Sequence, residues 1–173
     1  MTSLRIAVHA AVSVFQTIEL AIAAALFAAA IGPGLIGWET YCVMSGSMQP
    51  TLAIGSLAYI ETGIDADSVA IGDAIAFRNS GNVVVHRVVG IEGDAFATQG
   101  DANESPDPAL VQPNQLIGIL RGSAPGLGAL LVFLDSNKTA VVVVLAIANI
   151  ALCIVSWSTR QTVKPTNQKR GNL

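Results

Sequence analysis

Asp73–Ile91, DAIAFRNSGNVVVHRVVGI, is the stretch on which the fold turns. Two runs rich in Val, Ile and Phe flank Asn79-Ser80-Gly81-Asn82, a cluster of turn formers. Short β-branched and aromatic runs around such a cluster predict a β-hairpin. Its second arm carries His86 beside Arg87. Neighbours in a strand face opposite ways, so these two side chains cannot share a face.

The pattern continues on both sides. Ser56–Glu61 (SLAYIE), Ala95–Gln99 (AFATQ) and Leu116–Arg121 (LIGILR) are short and β-prone, with Gly, Asn, Asp and Pro between them. No stretch here has a convincing helical period. The expected fold is mostly β: a small antiparallel β domain over residues 38–137, flanked by one N-terminal and one C-terminal transmembrane helix.

The flanks read as spans. The first apolar stretch, Val8 to Ile36, is densest at Leu20–Ile31 and is interrupted by Glu19, expected to snorkel or to face a partner group. It is read as a retained transmembrane segment, 1–37. A leader cleaved near Ala28-Ala29-Ala30 would have only Arg5 as its basic region. Thr139–Trp157 is long enough to cross a bilayer, and Trp157 suits an interface anchor; residues 138–158 form the second span. A polar tail, 159–173, follows. Gly126-Leu127-Gly128 and the apolar residues after it are too short to span and read as an interfacial segment.

Charge sets the expected orientation. Residues 39–137 hold three arginines against eleven acids, whereas Arg5, Arg160, Lys164, Lys169 and Arg170 lie at the ends. The bias of Lys and Arg to the cytoplasmic side places both termini in the cytoplasm and the β domain outside a multi-pass cell-membrane protein. Lys138 alone sits at the wrong mouth. A net charge of −3 without an internal basic run argues against nucleic acid. Cys42 and Cys153 are read as unpaired, and two histidines, His9 and His86, make no metal cluster.

Three segments can carry chemistry. Met44–Pro50 (MSGSMQP) is a small-residue loop able to present a serine hydroxyl and open N–H donors; alone, it is equally an ordinary turn. A nucleophilic serine needs a base. The lysines, Lys138, Lys164 and Lys169, all lie at or beyond the second span, which leaves His86. Thr98–Pro108 (TQGDANESPDP) supplies Asp101, Glu104 and Asp107, any of which could orient a histidine or simply line an acidic turn.

SGSMQP, VVHRVVGI and TQGDANESPDP, in this order, resemble the sequence boxes of type I signal peptidases. His86 in the second box makes the chain similar to the endoplasmic-reticulum, archaeal and sporulating-bacterial branch; the common bacterial branch has Lys there. The resemblance covers Tyr41 to Arg121, and Gly72-Asp73 and Asn114–Gly118 also fit. It implies a membrane-bound serine endopeptidase that removes N-terminal signal peptides from exported preproteins after small residues, through an acyl-enzyme and without a cofactor. It implies Ser47 as nucleophile, His86 as base, Asp107 as triad acid with Asp101 also important, and Ser45 with Ser47 at the oxyanion hole. Met48 and Leu52 are expected to line shallow substrate pockets. Nine residues from Trp38 to Ser47 reach at most ~30 Å, which keeps the site near the membrane surface. The implied partners are signal-peptide-bearing preproteins, membrane lipid and secretion-machinery or accessory subunits. The competing readings are a catalytically silent membrane-anchored adaptor and a membrane hydrolase of another substrate class, such as an esterase, which lacks its Gly-x-Ser-x-Gly elbow here.

Overall fold

The computed structural model describes residues 2–161 of the 173. The tail expected at 159–173 lies outside the described residues from 162 onward, Lys164, Lys169 and Arg170 with it. The chain divides into two compact units: Leu26–Ser136, and the two terminal segments up to Ala25 and from Asn137.

The first unit is built on one six-stranded antiparallel sheet. Its strands are β1 (Trp38–Cys42), β2 (Leu57–Thr62), β3 (Ala74–Asn79), β4 (Asn82–Glu92), β5 (Ala95–Gln99) and β6 (Leu116–Ala124), in the spatial order β1-β2-β6-β3-β4-β5. The expected mostly β fold is what the chain adopts. β3 and β4 form the hairpin, with Asn79 opposite Asn82. Ser80 (φ +50°) and Gly81 (φ +86°) make the two-residue turn, and a positive φ at both central positions is what a tight hairpin needs.

Alternation along β3 divides the core. Ile75 and Phe77 join Val88, Phe96 and Ile119 on one face, whereas Ala74 packs with Met48 and Leu52, and Ala76 with Ala58 and Ile60. Both faces are covered, so β3 is buried from Ala74 to Phe77. The small residues leave room on the second face for the loop that carries Met48 and Leu52, which are 2% and 1% exposed.

Two elements depart from the sequence reading. β1 was not expected, although Trp38, Thr40 and Tyr41 are β-formers: it follows directly on the apolar stretch and pairs on one side only, with β2. The segment read as merely interfacial, and as lacking helical period, contains an α-helix, Leu127–Ser136. Leu127, Leu131 and Leu134 recur at helical spacing, but uniformly apolar neighbours hide the period.

The terminal helices run Thr2–Leu35 (α1) and Lys138–Gln161 (α3, the Leu127–Ser136 helix being α2). Both contain windows long and apolar enough to cross a membrane, and no residue of either window is buried. α1 closes at Gly37 (φ +79°), whose N–H donates to the Gly34 carbonyl. Within the terminal unit, Asn149 Nδ2 donates to both Glu19 oxygens, at 3.1 and 3.3 Å. Glu19 thus faces the one strongly polar side chain of the second apolar stretch, since a carboxylate among apolar groups needs a donor.

Candidate active site

The loop between β1 and β2 carries Ser45 and Ser47. Met48 and Leu52 anchor it from below: both are buried, and Leu52 N–H donates to the Met48 carbonyl at 2.8 Å. The loop after β5 holds it from the side, where Ala102 N–H donates to the Ser47 carbonyl at 2.8 Å. Gly100 permits this approach, because a Cβ there would stand 2.6 Å from that same carbonyl oxygen.

His86 comes from the middle of β4, opposite Ile75, and is 8% exposed. The Phe77 ring meets its imidazole edge-on, with centroids 6.3 Å apart at 69°. Nε2 lies 3.1 Å from Ser47 Oγ, and Nδ1 lies 2.6 Å from Asp107 Oδ2. A carboxylate at Asp107 accepts from Nδ1–H, which leaves Nε2 to accept from the Ser47 hydroxyl. Asp107 has two further ties, both to Thr98: the hydroxyl donates to Oδ2 at 2.7 Å, and Asp107 N–H donates to the Thr98 carbonyl at 2.7 Å. Thr98 is fully buried. Sequence reasoning missed it; its only signal is its place, two residues from Phe96 on the inward side of β5.

Asp101 is placed differently. It accepts from Arg87 Nε at 2.8 Å and Nη2 at 2.7 Å, and from the Thr51 hydroxyl. Arg87 Nη1 also donates to the Gly72 carbonyl at 2.7 Å. The paired guanidinium holds the Asp101 carboxyl below the usual carboxylate range, against burial, which pushes it up. Asp101 makes no hydrogen bond to His86 among the described contacts, and Glu104 is exposed. Thr51, unremarked in the sequence, and Gly72 complete this second network.

Ser45 Oγ lies 3.4 Å from Ser47 Oγ, so its hydroxyl borders the space in front of the nucleophile candidate. An apolar groove starts there, lined by Tyr41, Met44, Met48, Leu52, Ala58 and Val85. Met48 and Leu52 form its floor rather than an open wall. Burial, then the Glu39 carboxylate that accepts from its hydroxyl, push the Tyr41 phenol up to about 12, so it stays neutral beside the groove. Both cysteines are free. Among the described residues no cluster of His, Cys, Asp and Glu could hold a metal ion. In such a constellation an oriented histidine can activate a serine.

Comparison with known proteins agrees. The chain is 38% identical over 84 residues, 46% of its length, to signal peptidase I W of Bacillus subtilis. It is 26% identical over 110 residues, 56% of its length, to the signal peptidase complex catalytic subunit SEC11 of Lodderomyces elongisporus. It spans 44% and 65% of those two proteins. The model of the signal peptidase family, peptidase S26, matches residues 14–103, more than half of the 173 and inclusive of Ser47, His86 and Asp101. Matched over that span, the chain belongs to the signal peptidase family, peptidase S26.

Proposed function

We propose that this chain is a membrane-bound serine endopeptidase that removes N-terminal signal peptides from exported preproteins. The single observation that carries the reading is the continuous line Asp107–His86–Ser47, with contacts of 2.6 and 3.1 Å between groups far apart in sequence. His86 Nε2 takes the Ser47 proton as Oγ attacks the scissile carbonyl. Asp107 stabilises the resulting imidazolium. His86 then gives the proton to the leaving amine, and water, deprotonated by His86, releases the acyl group from Ser47. The Ser45 hydroxyl is assigned to the oxyanion, together with the Ser47 N–H. Asp101 supports the site through Arg87 rather than through His86.

The groove beside Ser47 favours small apolar residues next to the scissile bond, because the buried side chains of Met48, Leu52 and Ala58 line it. In this reading residues 1–37 and 138–158 are the spans, residues 38–137 are the extracytoplasmic peptidase domain, and both termini, with the tail at 159–173, are cytoplasmic. The Lys and Arg bias supports that orientation. Accessory subunits are part of the proposal too, since one relative is named as the catalytic subunit of a complex.

The test is cleavage of a labelled preprotein by the purified full chain in lipid vesicles. Release of the mature product, lost on Ser47→Ala, supports the reading. Intact preprotein with the wild-type chain, alone and with membrane extract restored, would exclude it in favour of a silent adaptor. Ester hydrolysis without peptide cleavage would point to another hydrolase class.

A further inference from the structure

Asp107 meets His86 through one oxygen, and a third group holds that same oxygen. Oδ2 lies 2.6 Å from His86 Nδ1 and 2.7 Å from the Thr98 hydroxyl. A carboxylate only accepts, so both of these groups donate to it. Thr98 is 0% exposed, whereas the Asp107 side chain is 22% exposed.

Strand register explains the meeting. Thr98 lies opposite Val88 of β4, and Val88 and His86, two apart in that strand, share a face. The Thr98 side chain therefore stands on the His86 side of the sheet. Between Val88 and Phe96 a valine would fill the same volume and leave no polar atom to satisfy. The hydroxyl is accounted for by its acceptor, Asp107.

The backbone adds a second tie. Asp107 N–H donates to the Thr98 carbonyl at 2.7 Å and closes the loop 99–106 at its base. Ala102, inside that loop, donates its N–H to the Ser47 carbonyl. The backbone of Asp107 is thus fixed, but its side chain still has two torsions, the terminal one broad and two-fold. Held by His86 alone, either oxygen could face Nδ1, and the partly exposed carboxylate could turn to water. Two donors converging on Oδ2 select one arrangement.

We propose that Thr98 is a positioning residue of the triad: its hydroxyl fixes the Asp107 carboxylate in the rotamer that holds Nδ1–H of His86, and it acts on the reaction only through Asp107. This rests on the serine-peptidase reading of Ser47, His86 and Asp107.

The experiment compares the full chain with Thr98→Val, which keeps the volume and removes the hydroxyl, and with Thr98→Ser, which keeps the hydroxyl. In preprotein cleavage in lipid vesicles, Thr98→Val should lower kcat about 10–100-fold, the scale of one hydrogen bond to a charged group, with KM within about twofold. Thr98→Ser should recover most of that loss. In an Asp107→Ala background Thr98→Val should cost no more than about twofold further, because its point of action is gone. A second readout needs no cleavage. With His9→Gln and isotope-labelled histidine, the downfield Nδ1–H resonance of His86 should move upfield or broaden in Thr98→Val and return in Thr98→Ser. Wild-type kcat in a folded Thr98→Val overturns the proposal, as does an equal fold-loss with and without Asp107. If Thr98→Val unfolds, Thr98→Ala and Thr98→Ser both lack the methyl and differ in the hydroxyl alone. Equal kcat in those two overturns the proposal, and a loss confined to Thr98→Ala supports it. A wild-type chain that cleaves nothing, with a His86 resonance that still depends on the hydroxyl, sinks the peptidase reading and supports the link from Thr98 to His86. A resonance indifferent to the hydroxyl overturns that link even where cleavage is seen.

Discussion

Arg87 grips Asp101 through two hydrogen bonds, 2.8 Å from Nε and 2.7 Å from Nη2, while its chain neighbour His86 turns to Asp107. Strand alternation sends the two side chains to opposite faces, so each finds its own aspartate. The two acids are therefore expected to have separable roles. Asp107→Asn should lower kcat by about 10⁴, because an amide can hold the wrong histidine tautomer, with little change in unfolding temperature. Asp101→Asn should mainly lower the unfolding temperature. Kinetics and thermal unfolding of both variants check this; a larger kcat loss in a folded Asp101→Asn would reverse the roles.

The serines should also separate. Ser47→Ala removes the covalent route and should leave no acyl-enzyme in single-turnover experiments. Ser45→Ala removes one hydroxyl near the developing oxyanion and should cost at most about 10²–10³ in kcat. Equal residual rates in the two variants would mean that Ser47 is not the nucleophile.

Acid should weaken the Arg87–Asp101 tie in a defined direction. The Asp101 carboxyl is held below its usual range, first by the Arg87 hydrogen bonds and also by Thr51. The unfolded chain therefore takes up the proton first, near pH ~3.9. The stability from this group is complete above that value and is lost as pH falls through the lower folded value. Thermal unfolding of the wild type and Asp101→Asn should differ most near pH ~7, and the gap should narrow as pH falls below ~3.9. A constant gap across that range would show that the ion pair does not titrate as described.

Gly100→Ala should damage the site without touching any reacting group. The added Cβ would stand 2.6 Å from the Ser47 carbonyl oxygen and 2.8 Å from Asn103 Nδ2, so the loop must shift. Crowding of this kind costs about 1–3 kcal/mol, and here it also moves Ser47 relative to His86. Both the unfolding temperature and kcat should fall. Wild-type kcat in this variant would show that the loop yields away from Ser47.

The orientation across the membrane is open to labelling. Ser80 and Gly81 form the exposed tip of the β3–β4 hairpin. A cysteine at Ser80 should react with a membrane-impermeant maleimide on intact cells. Reaction only after lysis would invert the topology drawn from the charge bias.

Local pattern sufficed for much of this protein. Alternating Val and Ile with Gly, Asn and Pro breaks placed β2 to β6 to within a residue or two at most ends, and the Asn79–Asn82 turn set the hairpin register. Long apolar runs marked α1 and α3. Scarcity did the rest: with every lysine at or beyond the second span, His86 was the one base left for a serine in the β region. These are properties of periods and compositions, which neighbouring residues carry by themselves. Three-dimensional structure decided what depends on distant groups meeting. That Asp107 and not Asp101 meets His86 follows from β4 alternation and from where the β5 loop returns. The part of Thr98 in fixing Asp107, the need for Gly100 beneath Ser47, and the Glu19–Asn149 pair arise from contacts between segments far apart in sequence. β1 and α2 lay between these cases. Each is short, and each is fixed by packing against β2 rather than by its own pattern, since a segment of five or ten residues gains too little locally to form unaided.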